Sequence, residues 1–164
     1  MAKCWNTTRS DDGVLFVTLD VPDRSVNAFS QAVIKELGEL VSTIESDASL
    51  RGVIFKSGKK GTFIVGADVE EMKEIESAEQ ARQFVSRGQQ IFERLSRVKT
   101  PTVALISGPC LGGGLEFALA CRYPSPTTAA RPSWACRKSG WASSRAGGAP
   151  SACRSRSACS RRCA

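Results

Sequence analysis

The chain has 164 residues, room for one modest domain. Its charge is unevenly placed: residues 1–123 carry 15 Lys/Arg and all 16 Asp/Glu, whereas residues 124–164 carry 8 Lys/Arg and no acid. The formal charge of +7 therefore belongs to the C-terminal stretch and says nothing about the rest. That stretch also lacks Val, Ile, Leu, Met and Phe, too little apolar surface to offset the entropy of ordering it. It is expected to be a disordered basic tail, with the boundary at Tyr123.

The chain contains no His. The tail cysteines Cys136, Cys153, Cys159 and Cys163 match no zinc spacing, so no metal is expected, although a four-thiolate site stays open on cysteine count alone. No apolar run approaches the ~18 residues of a membrane span, and no charged-then-apolar leader opens the chain. A cytoplasmic protein with reduced thiols is the expectation.

In chain order, residues 13–21 are rich in β-branched and aromatic types and predict a strand. A Pro22-Asp23 turn follows. Ser30 can cap a helix whose apolar residues Val33, Ile34, Leu37, Leu40, Val41 and Ile44 share one face. Residues 52–56 and 62–65 predict short buried strands. A short helix begins after Gly66-Ala67, with Asp68 as its cap. Ser77 and Gln80 read as a capping box opening a second long helix that ends near Lys99. Pro101 begins a strand over residues 102–106, and a glycine-rich turn at 108–114 feeds a helix from about Gly113 to Ala120. Strands alternating with helices argue an α/β fold.

Two motifs could carry chemistry. At Leu111-Gly112-Gly113-Gly114-Leu115-Glu116, glycines let the backbone approach a ligand. The helix start supplies unpaired N–H groups and a partial positive charge, and Glu116 sits in its first turn. Such donors stabilise a developing oxyanion, each worth roughly 3–4 kcal/mol in acyl chemistry. An ordinary strand-to-helix turn would look similar. At Gly66-Ala67-Asp68 the Ala67 N–H is a second donor at a helix start, though taken alone that motif reads better as a capped surface turn with Asp68 as N-cap.

Together, in this order and about 40 residues apart, the two motifs resemble the enoyl-CoA hydratase/isomerase (crotonase) family. Leu50-Arg51-Gly52-Val53-Ile54, Phe117-Ala118-Leu119-Ala120-Cys121 and Val26-Asn27-Ala28-Phe29 also resemble it. Residues 13–123 look most like the part that opens the multifunctional alpha subunit of fatty-acid oxidation. The resemblance implies the front half of a crotonase-type ββα spiral fold and an acyl-CoA substrate. The Ala67 and Gly113 amides would form the oxyanion hole, and Glu116 would be one of two proton-handling carboxylates. Arg24, Val26, Ala28, Gly66, Asp68, Val69, Gly112 and Gly114 would line the coenzyme A site. Hydration would need no cofactor. NAD would serve only a dehydrogenase part further along the full gene. Family members oligomerise; this chain is not expected to.

The family continues with Leu-Gly-Leu-Pro-Glu-Val-x-Leu-Gly and then Pro-Gly-x-Gly-Gly-Thr-Gln-Arg-Leu-Pro, which this chain lacks. Reading each tail codon from its third base recovers that order. Trp134-Ala135-Cys136 then forces Leu, Val or Met, then Gly, then Leu, Val or Met again. Arg137-Lys138-Ser139 permits Pro-Glu-Val, and Trp141-Ala142 forces another aliphatic and Gly. Residues 143–154 permit two aliphatics, Pro-Gly-Trp-Gly and Gly-Thr-Gln-Arg-Leu-Pro. The tail is thus expected to be an out-of-frame reading of the family's second half, with its second Glu straddling Arg137 and Lys138. A natural basic tail that contacts phosphates is the alternative; it leaves the motif order unexplained. The expected function is enoyl-CoA hydration by the parent gene product, with this chain inactive. An inactive CoA-binding fragment and a basic nucleic-acid-binding module are the rivals.

Overall fold

The computed structural model describes residues 3–127 and 134–135. Strand β1 (Trp5–Arg9) pairs antiparallel with β2 (Val14–Leu19). Helix α1 (Gln31–Ser46) leads to β3 (Gly52–Ser57). The short helix α2 (Val69–Lys73) precedes the long α3 (Ala78–Arg97). Next come β4 (Thr102–Ile106), β5 (Cys110–Leu111), α4 (Gly113–Ala120), β6 (Tyr123–Pro126) and β7 (Trp134–Ala135). The main sheet runs β1-β2-β3-β4-β6, parallel from β2 onward, while β5 pairs with β7. The α/β expectation holds.

Alternation along the strands decides which sheet face is covered. Val17, Leu19, Val53, Phe55, Ala104 and Ile106 are all buried on one face. The other face carries a row of registered neighbours, Phe16, Ile54, Val103 and Tyr123, each only partly covered or exposed. Parallel sheets are normally covered on both faces, so this row is unusual among the described residues.

The core centres on Phe117 of α4. Its ring lies 5.1 Å from Phe55, 5.8 Å from Phe29, 5.8 Å from Phe92, 6.0 Å from Trp5 and 6.4 Å from Phe63, centroid to centroid. Edge and tilted aromatic contacts at these distances add to the apolar area buried. They fix α4, and therefore the glycine turn before it, against the sheet.

Several local expectations are met. Ser30 accepts the Val33 N–H, Asp68 the Glu70 N–H and Ser77 the Gln80 N–H. Gln80 reaches back to the N–H of Glu76, not to that of Ser77, so the box closes one residue early. Residues 62–65 form no strand; Ile64 makes one isolated bridge to Cys110. The N-terminal half of α3 is less buried than its pattern suggests, with Val85 exposed and Phe92 and Leu95 buried.

Strand β1 went unread because Asn6, Thr7, Thr8 and Arg9 are polar and exposed. What holds it is tertiary. Trp5 is buried and its Nε1 donates to the Val33 carbonyl at 3.0 Å. The Glu36 carboxylate accepts the N–H groups of Cys4 and Trp5.

Strand β6 runs past the change of composition at Tyr123. Pro124-Ser125-Pro126 continue β6, and Thr127 donates its N–H to Ile106 at 2.9 Å. By strand alternation Tyr123 and Ser125 face β4 as Thr127 does, so both proline nitrogens face the open edge, where no donor is needed. Strand β7 also falls within the stretch expected to be disordered. The remaining tail residues, 128–133 and 136–164, lie outside the described residues, as do the four tail cysteines.

Candidate active site

Three segments converge at the ends of the strands. The stretch from Phe63 to Asp68 is threaded between two others. On one side Val65 donates to Asn27 O at 3.0 Å, Phe29 to Gly66 O at 2.8 Å and Asp68 to Phe29 O at 2.9 Å. On the other, Phe63 donates to Pro109 O and Leu111 to Ile64 O, both at 3.1 Å. The Phe29–Ala67 bridge is parallel, with Phe29 making both bonds. In such a ladder Ala67 turns its own N–H to the opposite side.

That side is occupied by the glycine turn. Gly66 has φ of +114°, and a Cβ there would lie 3.7 Å from the Gly113 nitrogen. A Cβ on Gly113 would lie 4.0 Å from the Ala67 nitrogen. Gly112 caps α4 with φ of 49° and ψ of −123°, a backbone state that L side chains rarely adopt. The backbones at Ala67 and Gly113 thus approach closely, and among the described residues neither amide donates to a backbone acceptor. Both residues are half-buried. Gly113 opens an eight-residue helix, whose dipole favours negative charge at that end.

Glu116 is half-buried in the first turn of α4, its N–H donating to Gly112 O at 3.1 Å. Three residues apart on one helix, Gly113 and Glu116 share a side. Arg24 joins the same region: its guanidinium lies 2.6 Å from Glu70 and 3.5 Å from Asp68. These carboxylates, Glu70 foremost, push its pKa up, so it stays cationic. Ala28 is half-buried beside Phe29. Val26 and Val69 are exposed, Val69 by 63%. Gly114 is buried against Ile64.

Two contributors were given no role by the sequence. Glu71 accepts the Gln31 N–H at 2.7 Å, tying α2 to the first turn of α1. The Phe29 ring would stand 3.5 Å from a Cβ on Gly113, closing the apolar side of the amide pair. Both stood in runs that carried the family resemblance, Glu71 in Gly-Ala-Asp-x-x-Glu-Met and Phe29 in residues 26–29, but neither had a role assigned. A concavity of about 240 Å³ adjoins these groups, lined by Gln31, Glu71, Glu74, Ile75, Gln80 and Phe84. A larger one of about 390 Å³ runs along the polar face of α3, away from the paired amides.

Beneath the turn lie Cys110 and Cys121, both buried. Burial pushes the Cys110 thiol up from 9.0 to about 12 and raises Cys121 as well. Their anions are disfavoured only in the folded state, so above about pH 9 the unfolded chain holds fewer protons than the folded one. Stability contributed here is fully present below pH 9 and declines as pH rises toward about 12. Urea midpoints across that window are expected to fall, and less steeply in Cys110→Ala. Among the described residues no group of His, Cys, Asp and Glu could hold a metal ion, and no helix is long and apolar enough to cross a membrane.

Residues 9–140 match the family described as enoyl-CoA hydratase/isomerase. The chain belongs to that family. The matched span runs past Tyr123, consistent with β6 continuing the fold. The fatty acid oxidation complex subunit alpha of Idiomarina loihiensis is 46% identical over 119 residues, 73% of this chain and 17% of the relative. That of Shewanella halifaxensis is 40% identical over 121 residues, 74% and 17% respectively. Among solved structures, an enoyl-CoA hydratase from Mycobacterium smegmatis aligns with a TM-score of 0.74 at 27% identity, over 80% of this chain and 50% of that one. An enoyl-CoA hydratase/carnithine racemase from Magnetospirillum magneticum aligns with a TM-score of 0.73 at 30% identity, over 80% and 49%. The chain thus spans about a sixth of the alpha-subunit relatives and about half of the solved hydratases.

Proposed function

We propose that the parent gene product is an enoyl-CoA hydratase of fatty-acid oxidation, adding water across the 2,3 double bond of an enoyl-CoA thioester. The reading rests on one observation above all: the Ala67 nitrogen lies 4.0 Å from where a Gly113 Cβ would stand. A thioester oxygen placed between those two N–H groups would be polarised by both. Electron withdrawal at the carbonyl makes the β carbon electrophilic. Glu116 would direct water there, and a second carboxylate would complete proton delivery at the α carbon. The other chemistry open to the family, moving the double bond, would use the same polarised carbonyl.

Arg24, Val26, Ala28, Gly66, Asp68, Val69, Gly112 and Gly114 would line the coenzyme A site, with Arg24 the cation for its phosphates. Hydration as written uses no cofactor; coenzyme A arrives as part of the substrate. An NAD-dependent dehydrogenase part would lie further along the gene, as likeness to the alpha subunit suggests. Oligomerisation belongs to that parent protein.

The 164-residue chain is read as inactive. Its second carboxylate would be lost to the change of frame near Tyr123 and Pro124, straddling the codons of Arg137 and Lys138. What is left is one of two proton-handling groups and a fragment able at most to bind acyl-CoA weakly. The test is to restore one base after codon 123 and follow the conjugated thioester absorbance of crotonyl-CoA. Turnover by the restored protein is expected. A folded, restored protein that leaves crotonyl-CoA untouched would sink the hydratase reading. Genomic codons incompatible with the shifted motif would sink the frame argument.

A further inference from the structure

The landmark run at residues 26–29 contains one residue that the proposed chemistry leaves idle. Asn27 is fully buried, uncommon for a carboxamide. Its side chain is fully engaged all the same. Nδ2 donates to the Leu19 carbonyl at 2.8 Å and to Ser57 Oγ at 2.9 Å, while Oδ1 accepts the Val21 N–H at 3.0 Å. The donors meet oxygens and the acceptor meets an N–H, so the network itself dictates which end is which.

These partners sit at structural junctions. Leu19 ends β2 and Ser57 ends β3, so one carboxamide knots two neighbouring strand ends to the loop crossing above them. From there the main chain carries the constraint onward. The Asn27 carbonyl accepts from Val65, Phe29 donates to Gly66 O, and Phe29 O accepts from Asp68. Ala67 lies inside that bracket, held by bonds on either side and none of its own to this segment.

We propose that Asn27 is a positioning residue for the Ala67 amide, transmitting the fixed geometry of the β2 and β3 ends to the turn that presents the amide beside Gly113. Its functional meaning rests on the oxyanion reading above; the anchor itself does not. An apolar residue of similar size would fill the space but leave the Val21 N–H without its partner, while the Leu19 carbonyl would keep only the Gly58 N–H, a cost borne locally. A group that merely packs would loosen the whole core evenly; an anchor loosens the bracket first.

The test uses the ¹⁵N-labelled 164-residue chain and amide hydrogen exchange. In Asn27→Ala, exchange at Phe29, Val65 and Asp68 should accelerate about tenfold or more relative to Phe55 in β3, because local opening is decoupled from global unfolding. Ser57→Ala, which removes one acceptor, should produce a smaller change at the same three amides, and Ser57→Thr should reverse it. Equal acceleration at Phe55 would overturn the proposal. If Asn27→Ala does not fold, the serine pair decides: no difference between Ser57→Ala and Ser57→Thr at Val65 also overturns it. A second readout is the carbonyl ¹³C shift of [1-¹³C]acetyl-CoA bound to each variant. A downfield displacement in the parent chain that shrinks in Ser57→Ala supports both anchor and oxyanion site. Selective exchange without displacement in the parent chain supports the anchor and counts against the oxyanion reading.

Discussion

Glu116→Gln in the frame-restored protein is expected to lower kcat for crotonyl-CoA hydration by about 10²–10⁴-fold, the usual cost of removing one positioned acid or base. The amide keeps the size and hydrogen-bonding reach of the carboxylate but cannot take or return a proton. KM should change far less, because coenzyme A and the carbonyl are assigned to other groups, and a loss confined to kcat marks an interaction made in the transition state. The unrestored chain should fall at least as far, having lost the other carboxylate and the half of the fold that would close the acyl site. Steady-state rates of the three proteins, side by side, check this. Robust turnover by the unrestored chain, abolished by Glu116→Gln, would mean that the tail has been misjudged.

Gly114→Ala should be among the most damaging single substitutions for stability. Gly114 lies in α4, where alanine would normally favour the helix. Here the added methyl would overlap the Ile64 carbonyl oxygen and its carbon. That neighbour is backbone, tied on by the Leu111 N–H, so it has little freedom to retreat. Overpacking of this kind costs roughly 1–3 kcal/mol, occasionally more, and the upper end is expected because two main chains must part. A urea titration should show the midpoint falling by that loss divided by the slope, with the slope itself little changed. Separation of α4 from the Ile64 segment would also pull Gly113 from Ala67, so acyl-CoA binding should weaken beyond what the unfolded fraction explains. A stability loss below about 0.5 kcal/mol, within the range of ordinary surface changes, would mean that the close approach is not maintained in solution.

Much of this was legible along the chain. Helix α1 was readable because its buried residues recur at helical spacing and Ser30 supplies a cap. Strand β4 begins right after Pro101 and alternates cleanly, so even its limits could be read. The paired glycine motifs located the candidate site because donors at helix starts are a local property: the chain's own turn exposes the N–H groups. The tail's lack of aliphatic residues flagged a change of character near Tyr123 for a similar reason, since composition alone sets how much apolar surface can be buried.

What sequence could not reach depended on contacts between distant segments. Strand β1 is polar after Trp5 and exists because Trp5 and Glu36 pin it to α1. Residues 62–65 have strand composition, yet they are threaded between two other segments and form only an isolated bridge. Strand β6 crosses the change of composition at Tyr123 because β4 offers a ladder that three further residues join, with the prolines turned outward. The apposition of Ala67 and Gly113 is of the same kind. Each motif presents its donor locally, but their meeting is set by the bracket of hydrogen bonds from Phe29 and Asn27 and by the seating of Phe117 in the aromatic core. Short-range geometry follows from neighbours in the chain, whereas the distance between two turns some forty residues apart is decided only when the core between them packs.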